Sequence, residues 1–256
     1  MTEDILFSIE NHVATIMLNR PAKLNAVTPE MSAALIEITE QCNTNDEVRC
    51  IIVTGAGERA FCAGSDIREL DSYDTPWNFR NRPDYCDAIR KVLKPTIAAI
   101  NGYAFGGGLE TAMSCDIRIA SHTASFASPE IKLGWIGGGG MAVFLANSIG
   151  PSNAAKMIMT GDPIPATKAL EWNLVSDLHE PGQLMPAARK LAETIASRAP
   201  IAAETAKLNL RAAYSMPIEK AIEYERDLQT VCFATNDAEE GRKAFKEKRQ
   251  PVFTRK

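Results

Sequence analysis

Pro95-Thr96-Ile97-Ala98-Ala99-Ile100-Asn101-Gly102-Tyr103-Ala104-Phe105-Gly106-Gly107-Gly108-Leu109-Glu110 is the stretch on which the fold of this chain turns. The apolar run at 95–100 is of strand length and predicts a buried strand over 96–101. A glycine-rich turn follows, and residues 106–114 can start a helix. The turn lacks the Lys-Ser/Thr of a P-loop, so a nucleotide phosphate is disfavoured. Three glycines before an apolar helix still leave free backbone N–H groups at its N-terminus. Those donors and the helix dipole suit an anion, or an oxygen that becomes negative during reaction. Close packing of the helix against a strand is the other use of the same glycines.

Strands and helices alternate on either side of this stretch. Residues 5–10 and 13–18 read as strands joined at Asn11-His12 by a hairpin turn. Residues 29–41 carry helical spacing at Met31, Leu35 and Ile38, with Thr28 as N-cap and Pro29 at the first helical position. Residues 50–54 and 116–120 read as strands, 83–93 as a helix, and 58–73 as a loop with a short helix. From Met141 onward the patterns are mostly helical: 141–149, 153–160, 165–172, 184–198, 202–214, 218–234 and 238–248. No linker rich in Pro, Gly or Ser divides the chain. The expectation is one α/β core, 1–195, followed by a helical region, 196–256, that packs on the core or on a neighbouring subunit.

The chain has 256 residues, 45% hydrophobic and 23% charged, with a net charge of -4. That composition suits a globular enzyme and excludes disorder as the main theme. The negative balance disfavours nucleic acid. The longest apolar runs fall far short of the ~20 residues of a membrane span. Met1-Thr2-Glu3-Asp4 shows no secretory pattern, so the expected compartment is the cytosol. Six cysteines without a C-x-x-C read as reduced core residues. Three scattered histidines give no metal motif, and there is no G-x-S-x-G nucleophile.

Two further glycine clusters stand out. Gly55-Ala56-Gly57-Glu58-Arg59-Ala60 matches G-x-G-x-x-A, but another loop follows it instead of a long helix. It therefore reads as a strand-terminating turn and not a nicotinamide site. Gly137–Gly140 precedes a helix and reads as Gly106–Gly108 does. Two acids flank these clusters. Glu110 lies just inside the helix after the first, and Glu130 follows the helix start Ser128-Pro129. Each is either a first-turn acid complementing a helix dipole, or one half of a general acid/base pair in an apolar pocket.

Taken together, these residues resemble the crotonase superfamily, the enoyl-CoA hydratase/isomerase family, over nearly the whole chain. Leu18-Asn19-Arg20-Pro21 with Leu24-Asn25-Ala26 resembles its first signature. Phe61-Cys62-Ala63-Gly64-Ser65-Asp66-Ile67 resembles its second, and residues 95–110 its third and most specific. Cys115–Ala120 and Phe126–Glu130 continue in register. The resemblance implies a spiral of ββα units with a helical C-terminal trimerisation region, and trimers often paired into hexamers. It implies acyl-coenzyme A thioester substrates and an oxyanion hole formed by the backbone N–H groups of Ser65 and Gly107. Family hydratases carry two glutamates, which fall on Glu110 and Glu130. Glu130 would donate the proton to Cα, and Glu110 would orient and activate the water.

Isomerase and dehalogenase relatives arrange their acids differently, which favours hydration of a trans-2-enoyl-CoA to a 3-hydroxyacyl-CoA, the chemistry of fatty acid β-oxidation. The closest rival is a carnitinyl-CoA dehydratase, suggested by the acid pair and by residues 247–252. A non-catalytic acyl-CoA or RNA-binding relative is disfavoured by the two acids and the net charge. For coenzyme A, the resemblance implies contacts at Lys23, Leu24, Ala63, Asp66 and Ile67, with Gly138 near the acyl group and Lys248 on a nucleotide phosphate. Lys248 also lies in a densely charged helix, and such faces are usually just solvated. No cofactor and no metal is expected, because the thioester is the electron sink. Gly137 stands where the family usually has Pro, next to the expected acyl group.

Overall fold

The computed structural model describes residues 3–70 and 73–256. The loop expected over 58–73 and the N-terminal reading lie partly outside these residues, at 71–72 and 1–2. Strands β1 (Ile5–Glu10) and β2 (Val13–Leu18) form the expected hairpin, with Ile5 opposite Leu18 and Glu10 opposite Val13. Asn11 and His12 both take positive φ, +49° and +63°, as a tight two-residue hairpin turn demands. Helix α1 (Pro29–Thr44) begins as its sequence predicts, with the Thr28 side chain accepting from the Met31 N–H. It buries Met31, Leu35 and Ile38.

The chain then repeats one pattern. A long strand in a first sheet leads into a short strand in a second. β3 (Cys50–Gly55) leads to β4 (Ala60–Cys62), β5 (Thr96–Ile100) to β6 (Tyr103–Phe105), and β7 (Ile117–Ser121) to β8 (Ser125–Ala127). Helices follow the short strands: α2 (Ile67–Leu70), α3 (Pro76–Arg80) and α4 (Tyr85–Arg90) after β4, α5 (Gly107–Ser114) after β6, and a 3-10 turn, Pro129–Leu133, after β8. Helices α6 (Met141–Ile149) and α7 (Pro151–Thr160), strand β9 (Ile164–Pro165), helix α8 (Ala166–Glu171) and strand β10 (Asp177–His179) complete the core. The first sheet runs β1-β2-β3-β5-β7-β10, parallel apart from the β1–β2 hairpin; the second runs β4-β6-β8-β9, with β9 antiparallel. This is the expected ββα spiral. The three-residue strands β4, β6 and β8 escaped sequence reading because they are too short to display a period.

Helix α9 (Pro181–Ala196) covers the other face of the first sheet. Its stripe of Leu184, Ala188, Ala192 and Ala196 packs on Val13, Cys50, Ile52, Ile97, Ala99 and Ile119. Ile51, Val53, Ala98 and Ile100 point to the opposite, larger core. With both faces covered, β3 and β5 are buried throughout, and this is why they read as unbroken apolar runs. All six cysteines are free thiols, five of them buried.

Helices α10 (Pro200–Ala213), α11 (Ile218–Phe233) and α12 (Asn236–Glu247) follow. An ion pair made by a buried lysine ties α10 to the core. Lys207 Nζ lies 2.7 Å from Asp116 Oδ2 and donates to the Lys94 carbonyl at 2.8 Å. Burial pulls the Lys207 pKa down and the Asp116 charge opposes that pull. Near the C-terminus, Arg255 pairs with Glu204 and Asp46. Replacing Asp116 by Ala strands the Lys207 charge. The expected cost is about 3 kcal/mol, at the low end for a broken buried pair because water reaches the carboxylate. Urea denaturation of D116A beside the parent chain measures it.

Candidate active site

The second signature loop begins where β4 ends. Gly64, at φ +96°, turns the chain so that Ser65 bridges to Val27. That bridge uses the Gly64 carbonyl, which accepts from Val27, and the Asp66 N–H, which donates to Val27. The Ser65 N–H is left off the ladder. Gly107 opens α5, so its N–H has no partner within the helix. The two loops are pressed together: a Cβ on Gly64 would lie 3.1 Å from the Gly107 N, and one on Gly108 would lie 2.0 Å from the Cys62 carbonyl oxygen. The three glycines therefore divide the two alternatives left open by the sequence. Gly108 serves close packing, and Gly107 offers a free donor. Gly106, at φ +55°, turns the chain beside Glu130, whose Oε1 is 2.9 Å from where a Cβ would stand.

Both acids are buried, Glu110 at 5% exposure and Glu130 at 8%. Glu130 sits in the 3-10 turn after β8, with the Ser128 hydroxyl donating to its Oε2 at 3.0 Å. Glu110 does not serve the dipole of its own helix. Its Oε1 accepts from the Gly139 N–H at 2.7 Å and the Met141 N–H at 3.1 Å, at the start of α6. The anion at the Gly137–Gly140 cluster is thus a side chain of the protein. This also accounts for Gly137: a Cβ there would stand 2.7 Å from Glu110 Oε1, and one on Gly139 would stand 2.9 Å from Oε2. Burial pushes the Glu110 pKa up to about 7. The two N–H donors oppose that rise, and the neighbouring Glu130 charge adds to it.

These groups face a cleft of about 720 Å³. Ala63, Ser65, Ile67, Gly107, Glu110, Glu130 and Gly138, all singled out from the sequence, line it. Four other candidates do not. Lys23 and Leu24 lie one step behind, where the Leu24 carbonyl accepts from the Ala63 N–H at 3.0 Å. The Asp66 carboxylate is committed to Arg20 and Arg68, both at 3.3 Å. Lys248 caps α12 in the left-handed region. The structure adds wall residues that the sequence did not flag. Tyr85, Cys86, Asp84, Asp87, Arg80, Arg82 and Arg90 come from the segment around α4, and Leu133 and Ile136 flank Trp135. The only sequence cue was the density of Arg and aromatic residues over 77–90. Among the described residues no group of His, Cys, Asp and Glu is arranged to hold a metal, and no helix is long and apolar enough to cross a membrane.

The model of the family described as Enoyl-CoA hydratase/isomerase matches residues 8–256. The chain is 40% identical to the (E)-benzylidenesuccinyl-CoA hydratase of Thauera aromatica, covering 97% of this chain and 98% of the relative. It is 34% identical to the crotonyl-CoA hydratase of Syntrophomonas wolfei, covering 99% of each. Among solved structures, the enoyl-CoA hydratase of Bacillus anthracis superposes with a TM-score of 0.95 at 34% identity, covering 99% of this chain and 100% of that one.

The buried Glu110 couples stability to pH. Its folded pKa of about 7 lies above the ordinary 4.5, so between those values the folded chain holds a proton that the unfolded chain has released. This stabilisation is complete below about pH 4.5 and is lost as pH rises through about 7, by up to about 3 kcal/mol. Denaturant melts across that range should show this slope in the parent chain, and E110Q should flatten it.

Proposed function

The chain belongs to the enoyl-CoA hydratase/isomerase family, and we propose that it adds water reversibly to the double bond of a trans-2-enoyl-CoA, as a hydro-lyase giving 3-hydroxyacyl-CoA. One observation carries this reading: two buried carboxylates share a cleft with two backbone N–H groups, that of Ser65 off the β-bridge and that of Gly107 at the open start of α5. The thioester oxygen sits between the N–H groups of Ser65 and Gly107. As water adds to Cβ, the π electrons move toward that oxygen, and fixed donors stabilise the enolate-like charge. Glu110, held by Gly139 and Met141, takes the proton of the attacking water. Glu130, oriented by Ser128, gives its proton to Cα. Both acids act from one face, so addition is syn. One proton passes between them to reset the pair.

Coenzyme A runs along Ala63, Asp66 and Ile67 toward Lys23 and Leu24. Gly138 borders the acyl group, and Lys248 meets a nucleotide phosphate. The thioester is the electron sink, so the reaction calls for no further cofactor or metal. A specialised acyl group, as in a carnitinyl-CoA dehydratase, is the second reading. It is favoured by the polar wall, where Arg82 pairs with Asp84 at 3.5 Å and Arg90 with Asp87. The chain works as a trimer or a pair of trimers in the cytosol. Support for assembly comes from the apolar side chains left exposed between Leu210 on α10 and Phe233 at the end of α11: Leu210, Tyr214, Ile218, Val231 and Phe233.

Crotonyl-CoA should lose its conjugated-thioester absorbance on mixing with the protein and yield 3-hydroxybutyryl-CoA. Turnover confined to charged or branched acyl groups supports the second reading instead. E110Q and E130Q should each cut kcat by at least ~100-fold with the fold intact; unchanged turnover in both sinks the assignment. Because Glu110 must be ionised to accept the proton, kcat/KM for hydration should rise with pH through about 7. Light scattering should give a mass that is a multiple of three 27.9 kDa chains.

A further inference from the structure

Tyr85 is the first residue of α4 and is buried, with 6% exposure, yet it forms part of the cleft wall. Its position is held from several sides. The Asp84 side chain accepts from the Cys86 N–H at 2.8 Å and fixes the start of the helix. Ser32 Oγ donates to the Pro83 carbonyl at 3.0 Å, and the Cys86 thiol donates to the Gly107 carbonyl at 3.5 Å. The phenol oxygen ends 3.1 Å from Ser65 Oγ and 2.0 Å from the place a Cβ would take on Gly107. It therefore rests against the Cα of Gly107 and touches the side chain of Ser65. Those are the two residues whose N–H groups form the oxyanion hole, so the phenol sits at their junction.

The contact with Ser65 satisfies the buried phenol oxygen, but one hydrogen bond between two hydroxyls uses only one of their two hydrogens. The phenol has one hydrogen and Ser65 Oγ has one. If the Ser65 hydroxyl donates to the phenol oxygen, the phenol O–H is free to turn toward the cleft. Burial holds the Tyr85 pKa well above its ordinary value, so the hydrogen is retained throughout the working range. A neutral donor fixed before substrate arrives is the arrangement that stabilises developing charge without reorganisation.

We propose that Tyr85 is a third donor of the oxyanion hole: its hydroxyl, oriented by the Ser65 side chain, hydrogen-bonds to the thioester oxygen as enolate charge develops. The proposal rests on the hydratase reading and gives Ser65 a second task, carried by its side chain, beyond its backbone N–H. Tyr85 would be a catalytic residue and the Ser65 hydroxyl a positioning group.

The test uses Tyr85→Phe, Ser65→Ala and the double variant, with two readouts. One is kcat and KM on the best enoyl-CoA. The other is the absorbance red shift of bound 4-(dimethylamino)cinnamoyl-CoA, a conjugated thioester whose colour reports polarisation of its carbonyl. Y85F should fold with an unchanged melting profile, lose on the order of 10- to 100-fold in kcat with KM nearly constant, and show a smaller red shift. S65A should lose about fivefold, and the double variant should match Y85F, because the serine hydroxyl acts through the phenol. Y85F with parental kcat, or with reduced kcat and an undiminished red shift, overturns the proposal. So does a parent chain that binds the probe without any shift. A parent chain that red-shifts the probe through Tyr85 but hydrates no enoyl thioester refutes the hydratase reading and leaves the tyrosine as a carbonyl donor.

Discussion

The Glu110 carboxylate, held on the two N–H groups that open α6, is the contact on which the site depends. It joins the start of one helix to the start of another across the cleft. It also dictates local sequence, since Gly137 and Gly139 leave no room for a Cβ beside its oxygens. Two opposed effects set its chemistry. Burial alone would hold the acid protonated, and the N–H donors alone would hold it ionised. Their balance places the pKa near neutrality, where one carboxyl can both give and take a proton.

The fold delivers the other groups by repetition. Ser65, Gly107 and Glu130 each lie just beyond the C-terminal end of a short strand of the second sheet: β4, β6 and β8 respectively. Those strands are parallel neighbours, so their ends open at the same side of the sheet. Ligand sites in parallel sheets gather there because the chain must turn at that end and expose backbone N–H groups. The close contact of Gly64 with Gly107, and of Gly108 with Cys62, then brings successive turns within reach of one small group. The long strands carry none of the site residues; β3 and β5, buried throughout, supply the rigidity that holds the turns.

The α4 wall follows a different logic. It lies in the least repetitive part of the core, between β4 and β5, and brings Tyr85 together with three arginines and two aspartates. The repeated geometry of the spiral brings Ser65, Gly107 and Glu130 to one side of the cleft, while this intervening segment supplies much of the remaining wall.

Much of this was legible in the sequence. The β1–β2 hairpin, the capped start of α1, the buried strands β3 and β5, and the glycine-to-helix step before Glu110 all follow from local rules: two-residue turns, N-caps and unbroken apolar runs. The two acids stood out beside the glycine clusters with two readings open, and only the family resemblance implied that they act as a pair with the N–H groups of Ser65 and Gly107. Tertiary structure decided the rest. The strands β4, β6 and β8 are too short to carry a period and exist only because neighbours pair with them. Glu110 could have faced its own helix dipole, and only the packing of α6 gives its carboxylate the Gly139 and Met141 donors. Asp66 looks like a ligand residue in its motif, yet its charge is spent on Arg20 and Arg68. Nothing in the string marks Tyr85, because its meaning is a 3.1 Å contact with a residue twenty positions away. Local sequence determines which backbone states are cheap, whereas the partners of a buried polar group are set by whatever the fold brings beside it.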